Sequence, residues 1–131
     1  MNSRHVLYWL LLIVAGVTVI SGVVQLVKPG FVLGIVSAEA TAASKHFFGI
    51  VGMFMALFGG MLTQVLLSKQ PTAVVFVWAG LQKLGASAAV ALGVLRHIFG
   101  PLALGISAFD LTSGILIFIY VGSLTRHRNG A

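Results

Sequence analysis

Charged residues are scarce in this chain: Asp, Glu, Lys and Arg together make up 8% of its 131 residues, whereas a soluble domain has about 25%. Hydrophobic residues make up 59%. So few charges cannot cover a globule with a hydrated surface, and a surface that faces lipid is the simplest explanation. Because the length suits a single domain, we predict one transmembrane domain over residues 1–131.

Cysteine is absent, which excludes disulfide frameworks, thiol catalysis and thiolate metal sites. The acids are Glu39 and Asp110 alone. They fall at different predicted depths, so they cannot form a two-metal hydrolytic site, and no serine has a plausible base and orienting acid beside it. We predict neither a metal site nor a catalytic residue. The sequence leaves an enzyme open but favours a protein without catalytic activity of its own.

The net charge is +6, and the basic residues stand mostly at the ends of apolar runs. Such positions suit anionic lipid headgroups. The sequence has no basic stripe of the kind that follows a nucleic-acid backbone. We therefore predict membrane lipids as partners and exclude nucleic acid.

Four apolar runs are each long enough for the ~20 residues that cross ~30 Å of hydrocarbon as a helix. Pro29, Pro71 and Pro101 all lie at the boundaries of these runs, where helices tolerate proline. Period-2 alternation is missing, which argues against barrel strands. We predict an all-α, polytopic membrane protein folded as an antiparallel four-helix transmembrane bundle, with helices over approximately 6–27, 38–68, 73–95 and 101–124.

The first connection, residues 28–45, is longer than the other two. Its apolar stretch 31–36 is predicted to lie in the membrane interface. Ser37 could cap the second helix, with Glu39 in the first turn, where a negative charge suits the helix dipole, so this helix is predicted to begin near Ala38. The short later connections predict that the second, third and fourth helices are sequential neighbours.

An even number of spans places both termini on one side of the membrane. The positive-inside rule compares the basic residues at the two sides. The terminus side has one basic residue more than the other side, which predicts cytoplasmic termini. The basic residues are Arg4, Lys69, Arg126 and Arg128 on the terminus side and Lys28, Lys45 and Arg96 on the other.

Two ionisable residues lie near the middle of apolar spans, Lys83 in the third and Asp110 in the fourth. At 1.5 Å per residue they are ~15 Å and ~14 Å from opposite faces, hence at nearly one level. A charge at that depth costs several kcal/mol unless it is paired or hydrated. We therefore predict an ion pair inside the bundle. It is either a structural pair that sets helix register, or an anchor for a ligand headgroup, a quinone carbonyl or a proton.

Three further polar or aromatic residues lie in the spans near this pair: Gln82, Trp78 and Gln64. Helical phase places Trp78 and Gln82 on one face, and Gln64 is close to Trp78 in depth. With the ion pair they predict a ligand- or partner-binding pocket that opens toward the terminus side. The alternative for Trp78 is an anchor at the membrane interface.

His46 and His97 fall at one membrane face, on or beside neighbouring helices. Two such histidines could ligate haem iron, but interfacial histidines are the commoner case. We therefore predict no haem, and no cofactor other than a quinone or a bound lipid.

Small residues at spacings of three and four allow membrane helices to approach closely. The first helix is poorer in such spacing than the others. Such faces predict that the helices pack within one bundle or, alternatively, that the protein forms a homo-oligomer. They consist of Gly52, Ala56 and Gly60 on the second helix, Gly85, Ala89 and Gly93 on the third, and Ala103, Ser107, Asp110 and Gly114 on the fourth.

Three short phrases carry a resemblance: Lys-His-Phe-Phe-Gly at 45–49, Phe-Gly-Gly at 58–60 and Ala-Gly-Leu-Gln-Lys-Leu at 79–84. Together with the length and the four spans, they resemble the DoxX-like group of small bacterial membrane proteins. The resemblance implies a four-helix bundle in the bacterial inner (plasma) membrane. Some DoxX relatives are membrane subunits of quinone-linked oxidoreductases.

The small size and short connections favour an accessory or anchor subunit of a larger membrane complex, one that contacts quinone or lipid. A protein partner is therefore expected. The alternative is a stand-alone binder or carrier of a small hydrophobic ligand through the Lys83, Asp110 and Gln82 site. A proton-coupled transporter is weaker, because an acid held by a lysine is a poor proton relay.

Overall fold

The computed structural model describes residues 3–128, with side chains up to residue 124. The side chains of Arg126 and Arg128, which entered the orientation prediction, lie outside the described part. All secondary structure within that range is helical, which confirms the predicted all-α class. The helices are α1 Ser3–Val27, α2 Pro29–Ile35, α3 Ala42–Leu67, α4 Ala73–Leu95 and α5 Ala103–Arg128.

Four of the described helices are long and apolar enough to cross a membrane: α1, α3, α4 and the 103–124 part of α5. The short helix α2 falls in the stretch predicted to lie in the interface. It begins at Pro29. Proline is favourable there because it has no backbone amide hydrogen, and the amides of the first helical turn have no acceptor within the helix.

Helices α1 and α3 pack closely through small residues. A Cβ atom at Gly22 would lie 2.7 Å from the Gly52 carbonyl oxygen, and one at Gly59 would lie 3.1 Å from the Ala15 carbonyl oxygen. Later residues of α3 therefore contact earlier residues of α1, so the two helices run in opposite directions. The first helix was predicted to be poorer in small-residue spacing, and its glycine at this close approach is the single residue Gly22, since Gly16 has nothing within 4 Å of its Cβ position. Gly60 was assigned to the face but has nothing within 4 Å of its Cβ position.

Helices α4 and α5 form a second close pair. A Cβ atom at Gly114 would lie 3.3 Å from the Gly80 carbonyl oxygen. The predicted α5 face is buried along its length, at Ala103, Ser107, Asp110 and Gly114. The face of α4 that packs against α5 differs from the predicted face by a rotation about the helix axis. Gly85 is exposed, and the residues buried on α4 are Phe76, Ala79, Gly80, Lys83, Ser87 and Gly93.

The hydrophobic core lies where α1 begins, α3 ends, α4 begins and α5 ends; we call this the terminal end, and the opposite one the loop end. All four long helices contribute to it. The Phe76 and Tyr120 rings contact each other there, with centroids 5.3 Å apart. The largest fully buried apolar side chains of the described residues belong to this core: Leu11, Phe76 and Ile117.

Contact between the two helix pairs is much sparser than contact within each pair. The prediction that α3 and α4 are neighbours holds mainly at the terminal end, where Leu62, Leu66 and Phe76 share the core. Toward the loop end a cavity lies between the pairs. The dominant partner of α3 is α1 and not the next helix in sequence, because glycine lets those two backbones approach.

The start of α3 differs from the prediction. The helix begins at Ala42, and the Thr41 side chain accepts a hydrogen bond from the Ser44 amide at 3.1 Å. Ser37, the expected cap, has a φ of 54° and lies in a turn. That turn contacts the α4–α5 connection, since the Gly100 amide donates to the Val36 carbonyl oxygen at 2.7 Å.

Candidate functional site

The Lys83–Asp110 ion pair predicted from depth is present between α4 and α5. The distance from Lys83 Nζ to Asp110 Oδ1 is 2.6 Å, and the two side chains are 4% and 7% exposed. Among the described residues this is the one salt bridge found. The ammonium group also lies 5.1 Å from the centroid of the Phe109 ring, which adds a cation–π attraction.

Two serines extend this polar contact one helical turn toward the loop end. Ser107 donates its hydroxyl to the Ser87 carbonyl oxygen at 2.9 Å, and the two hydroxyl oxygens are 3.0 Å apart. Ser87 follows Lys83 by four residues and Ser107 precedes Asp110 by three, so each serine shares a face with one ion-pair member. The α4–α5 contact therefore contains an ion pair and, one helical turn away, a pair of hydrogen-bonded serines.

Replacing Ser107 with alanine is expected to destabilise the protein modestly, because its two buried interhelical hydrogen bonds, to the Ser87 carbonyl oxygen and the Ser87 hydroxyl, are lost. Comparable bonds in membrane bundles contribute about 0.6 kcal/mol on average and about 1.7 at most. Unfolding in detergent micelles titrated with SDS measures the change. Thr112→Val is the matched control, since the exposed Thr112 hydroxyl bonds the Ala108 carbonyl oxygen of its own helix. Equal effects of the two variants would contradict the interhelical role.

A cavity of about 460 Å³ lies between the two helix pairs toward the loop end. Its volume is within the range of small-molecule sites, about 300–1,000 Å³. The lining residues are mostly apolar and come from α1, α2, α3, α4, α5 and the turn after α4. Exposed lining residues include Arg96 and Ile98 at the loop end and Val51, Ala89 and Leu92 along the helices, so the space reaches the protein surface at both places.

The polar residues that line the cavity are Gln25, Gln82, Arg96 and Asp110. Asp110 lies at the inner end, nine-tenths buried. Lys83 bonds its Oδ1 atom, whereas no hydrogen bond from the described residues reaches Oδ2. No buried side-chain polar atom among the described residues lacks a hydrogen-bond partner, so Oδ2 retains some accessible surface. The carboxylate can therefore accept a hydrogen bond from a molecule in the cavity.

Gln25 is a cavity residue that sequence reasoning missed. It is buried near the end of α1, and its amide nitrogen donates to the Phe48 carbonyl oxygen at 2.9 Å. A glutamine inside an otherwise apolar span was the available signal. The signal is weak because Gln25 lies close to the end of its span, where a polar side chain costs little free energy.

The pocket predicted at the terminus side is not where the structure has its cavity. Gln82 lines the cavity, but Trp78 is 60% exposed and Gln64 is exposed on α3. At 100° per residue Trp78 points about 200° away from Phe76, which is buried in the core. The core occupies the terminal end, and the cavity lies toward the loop end, where neither Trp78 nor Gln64 lines it.

The two histidines considered for haem are both exposed. His46 borders a separate surface groove with Leu26, Pro29 and Lys45, and His97 lies in the turn after α4 with a φ of 59°. Neither lines the cavity that Asp110 borders. In the described part of the chain no three His, Cys, Asp or Glu side chains form a group able to hold a metal ion.

Comparison of the chain with protein-family models, with curated proteins and with solved structures gives no match. The DoxX-like resemblance therefore stays a prediction.

Proposed function

We propose that the protein is an antiparallel four-helix membrane bundle that binds a small hydrophobic ligand in the cavity between its two helix pairs. The observation that carries this proposal is the Asp110 carboxylate at the inner end of a largely apolar cavity. Apolar walls with a few convergent polar groups are the usual composition of a small-molecule site. The cavity supports binding or carriage of a ligand over a purely structural role for the ion pair.

The α4–α5 contact by itself does not require such a cavity. Gly80 and Gly114 already bring the two backbones close, and the serine pair adds hydrogen bonds. A pair that served register alone could be enclosed by apolar side chains on every side. Asp110 instead borders a cavity of about 460 Å³, whereas Lys83 borders a void of only about 10 Å³ beside Thr18 and Leu62.

The membrane setting is part of the proposal. Four apolar helices of the described chain have the length to span it. We propose cytoplasmic termini because that side has one basic residue more. We propose the bacterial inner membrane because of the DoxX-like resemblance. The accessory-subunit and homo-oligomer hypotheses stay predictions that rest on chain length, short connections and small-residue spacing.

Filling the cavity is expected to abolish ligand retention. Ala89 lines the cavity on α4, so Ala89→Phe would place a ring in the space that the ligand occupies. Native mass spectrometry of the protein released from its own membranes measures the ligand that remains bound. We expect a bound small molecule in the wild type and at least about a tenfold lower occupancy in the variant.

The matched control is Ala88→Phe. Ala88 is the preceding residue, is exposed and does not line the cavity, so its ring would face away from the proposed ligand. Unchanged occupancy is expected for this variant. Equal retention by both variants, or no retained small molecule in the wild type, would count against a binding function.

A further inference from the structure

The inner end of the cavity presents a hydrogen-bond acceptor. A carboxylate has no donor of its own, and the Oδ2 atom of Asp110 is free of hydrogen bonds from the described residues. A ligand group that reaches this end is favoured when it donates a hydrogen bond. Hydrogen bonds to charged groups are stronger than those between neutral groups, so this one contact discriminates among ligands.

The charge of the ion pair restricts the ligand further. Lys83 already neutralises Asp110 at 2.6 Å, so the buried pair carries no net charge. A cationic ligand group would add an uncompensated charge to this buried site, and an anionic group would approach the negative partner. A neutral donor such as a hydroxyl satisfies the carboxylate without either penalty.

The cavity is elongated along α4. Its lining on α4 extends from Gln82 to Arg96, about 21 Å at 1.5 Å per residue. That length accommodates one extended hydrocarbon chain, and the volume of about 460 Å³ is within the range of small-molecule sites. Between the polar groups the walls are apolar, with Val90, Ala103 and Ile106 among them.

We propose that the cavity binds an uncharged single-chain amphiphile, such as a long-chain alcohol, with its hydroxyl group at the inner end donating to Asp110 Oδ2. This inference rests on the proposed binding function and names the chemical class of the ligand. The apolar chain lies along α4 and α5 toward the loop end.

The test compares four probes of equal chain length: dodecanol, dodecane, dodecylamine and dodecanoate. Each is added at the same load to the purified full chain in lipid nanodiscs, and native mass spectrometry counts the bound probe. We expect dodecanol to be retained at least about tenfold more than any of the other three, the factor that one charge-assisted hydrogen bond supplies.

A charge-balanced variant identifies the acceptor. Lys83→Met with Asp110→Leu removes both charges and the carboxylate acceptor at once, so dodecane should still bind while the advantage of dodecanol disappears. Retention of the dodecanol preference in this variant would overturn the proposal. If the variant does not fold, the comparison of probes on the wild type decides by itself.

The outcomes separate the two proposals. Equal binding of dodecanol and dodecane, or preferred binding of dodecylamine or dodecanoate, overturns the ligand class and leaves a binding cavity. Failure of all four probes to bind the wild type overturns the ligand class together with the binding function. Ala89→Phe should lose every probe, which locates the binding in this cavity.

Discussion

Removing the Asp110 carboxylate alone is expected to destabilise the protein by about 3–5 kcal/mol, because Lys83 is then left charged in the buried interior without a partner. Asp110→Leu makes this change, and Lys83→Met makes the reverse one by leaving Asp110 unpaired. The Lys83 side chain is almost fully buried, so water cannot compensate its unpaired charge. SDS-titrated unfolding in detergent micelles measures both losses.

The double variant distinguishes a coupled pair from two separate contributions. Replacing both partners with apolar residues removes the unpaired charge, and comparable replacements elsewhere were neutral or stabilising. We therefore expect Lys83→Met with Asp110→Leu to recover most of the stability that each single variant loses. Additive losses would contradict the coupling. Lys69→Met is the control, because Lys69 is exposed in the α3–α4 connection and should change stability by less than about 0.5 kcal/mol.

Combining stability with ligand retention decides between the two interpretations of the pair. A structural pair predicts a stable double variant that retains its ligand unchanged. An anchor predicts a stable double variant with altered retention, because Asp110 borders the cavity.

Adding one methyl group at Gly52 is expected to separate α1 from α3. A Cβ atom there would lie 2.6 Å from the Leu26 nitrogen and 2.7 Å from the Gly22 carbonyl oxygen. These are backbone atoms, so no side-chain rotation relieves the overlap and one helix must move. Gly52→Ala should cost about 1–3 kcal/mol or more, measured by the same unfolding titration.

Gly60→Ala is the matched control on the same helix. Gly60 is exposed and its Cβ position has nothing within 4 Å. Alanine favours the helix over glycine by up to about 1 kcal/mol, so this variant should be neutral or slightly stabilising. A loss of stability at Gly60 equal to that at Gly52 would show that the α1–α3 contact is not as close as the structure has it.

Composition and helical periodicity were sufficient to predict several features of this protein. Scarce charge with long apolar runs predicted four long helices, since hydrophobic length and proline position are local properties of the chain. The Lys83–Asp110 pair followed from the rise per residue alone. In two adjacent helices joined by a short turn, the number of residues from the turn gives the depth of each side chain. The small-residue face of α5 followed from spacing in the same way.

The position of the cavity depended on the tertiary structure. Sequence spacing does not give the rotation of α4 about its axis, and this rotation buries Phe76 while leaving Trp78 exposed. Nor does it show that α3 packs mainly on α1, which depends on a backbone contact between Gly22 and Gly52 across the pair. Local periodicity limits which faces can be buried, but the packing of two helix pairs against each other decides which end closes into a core and which stays open.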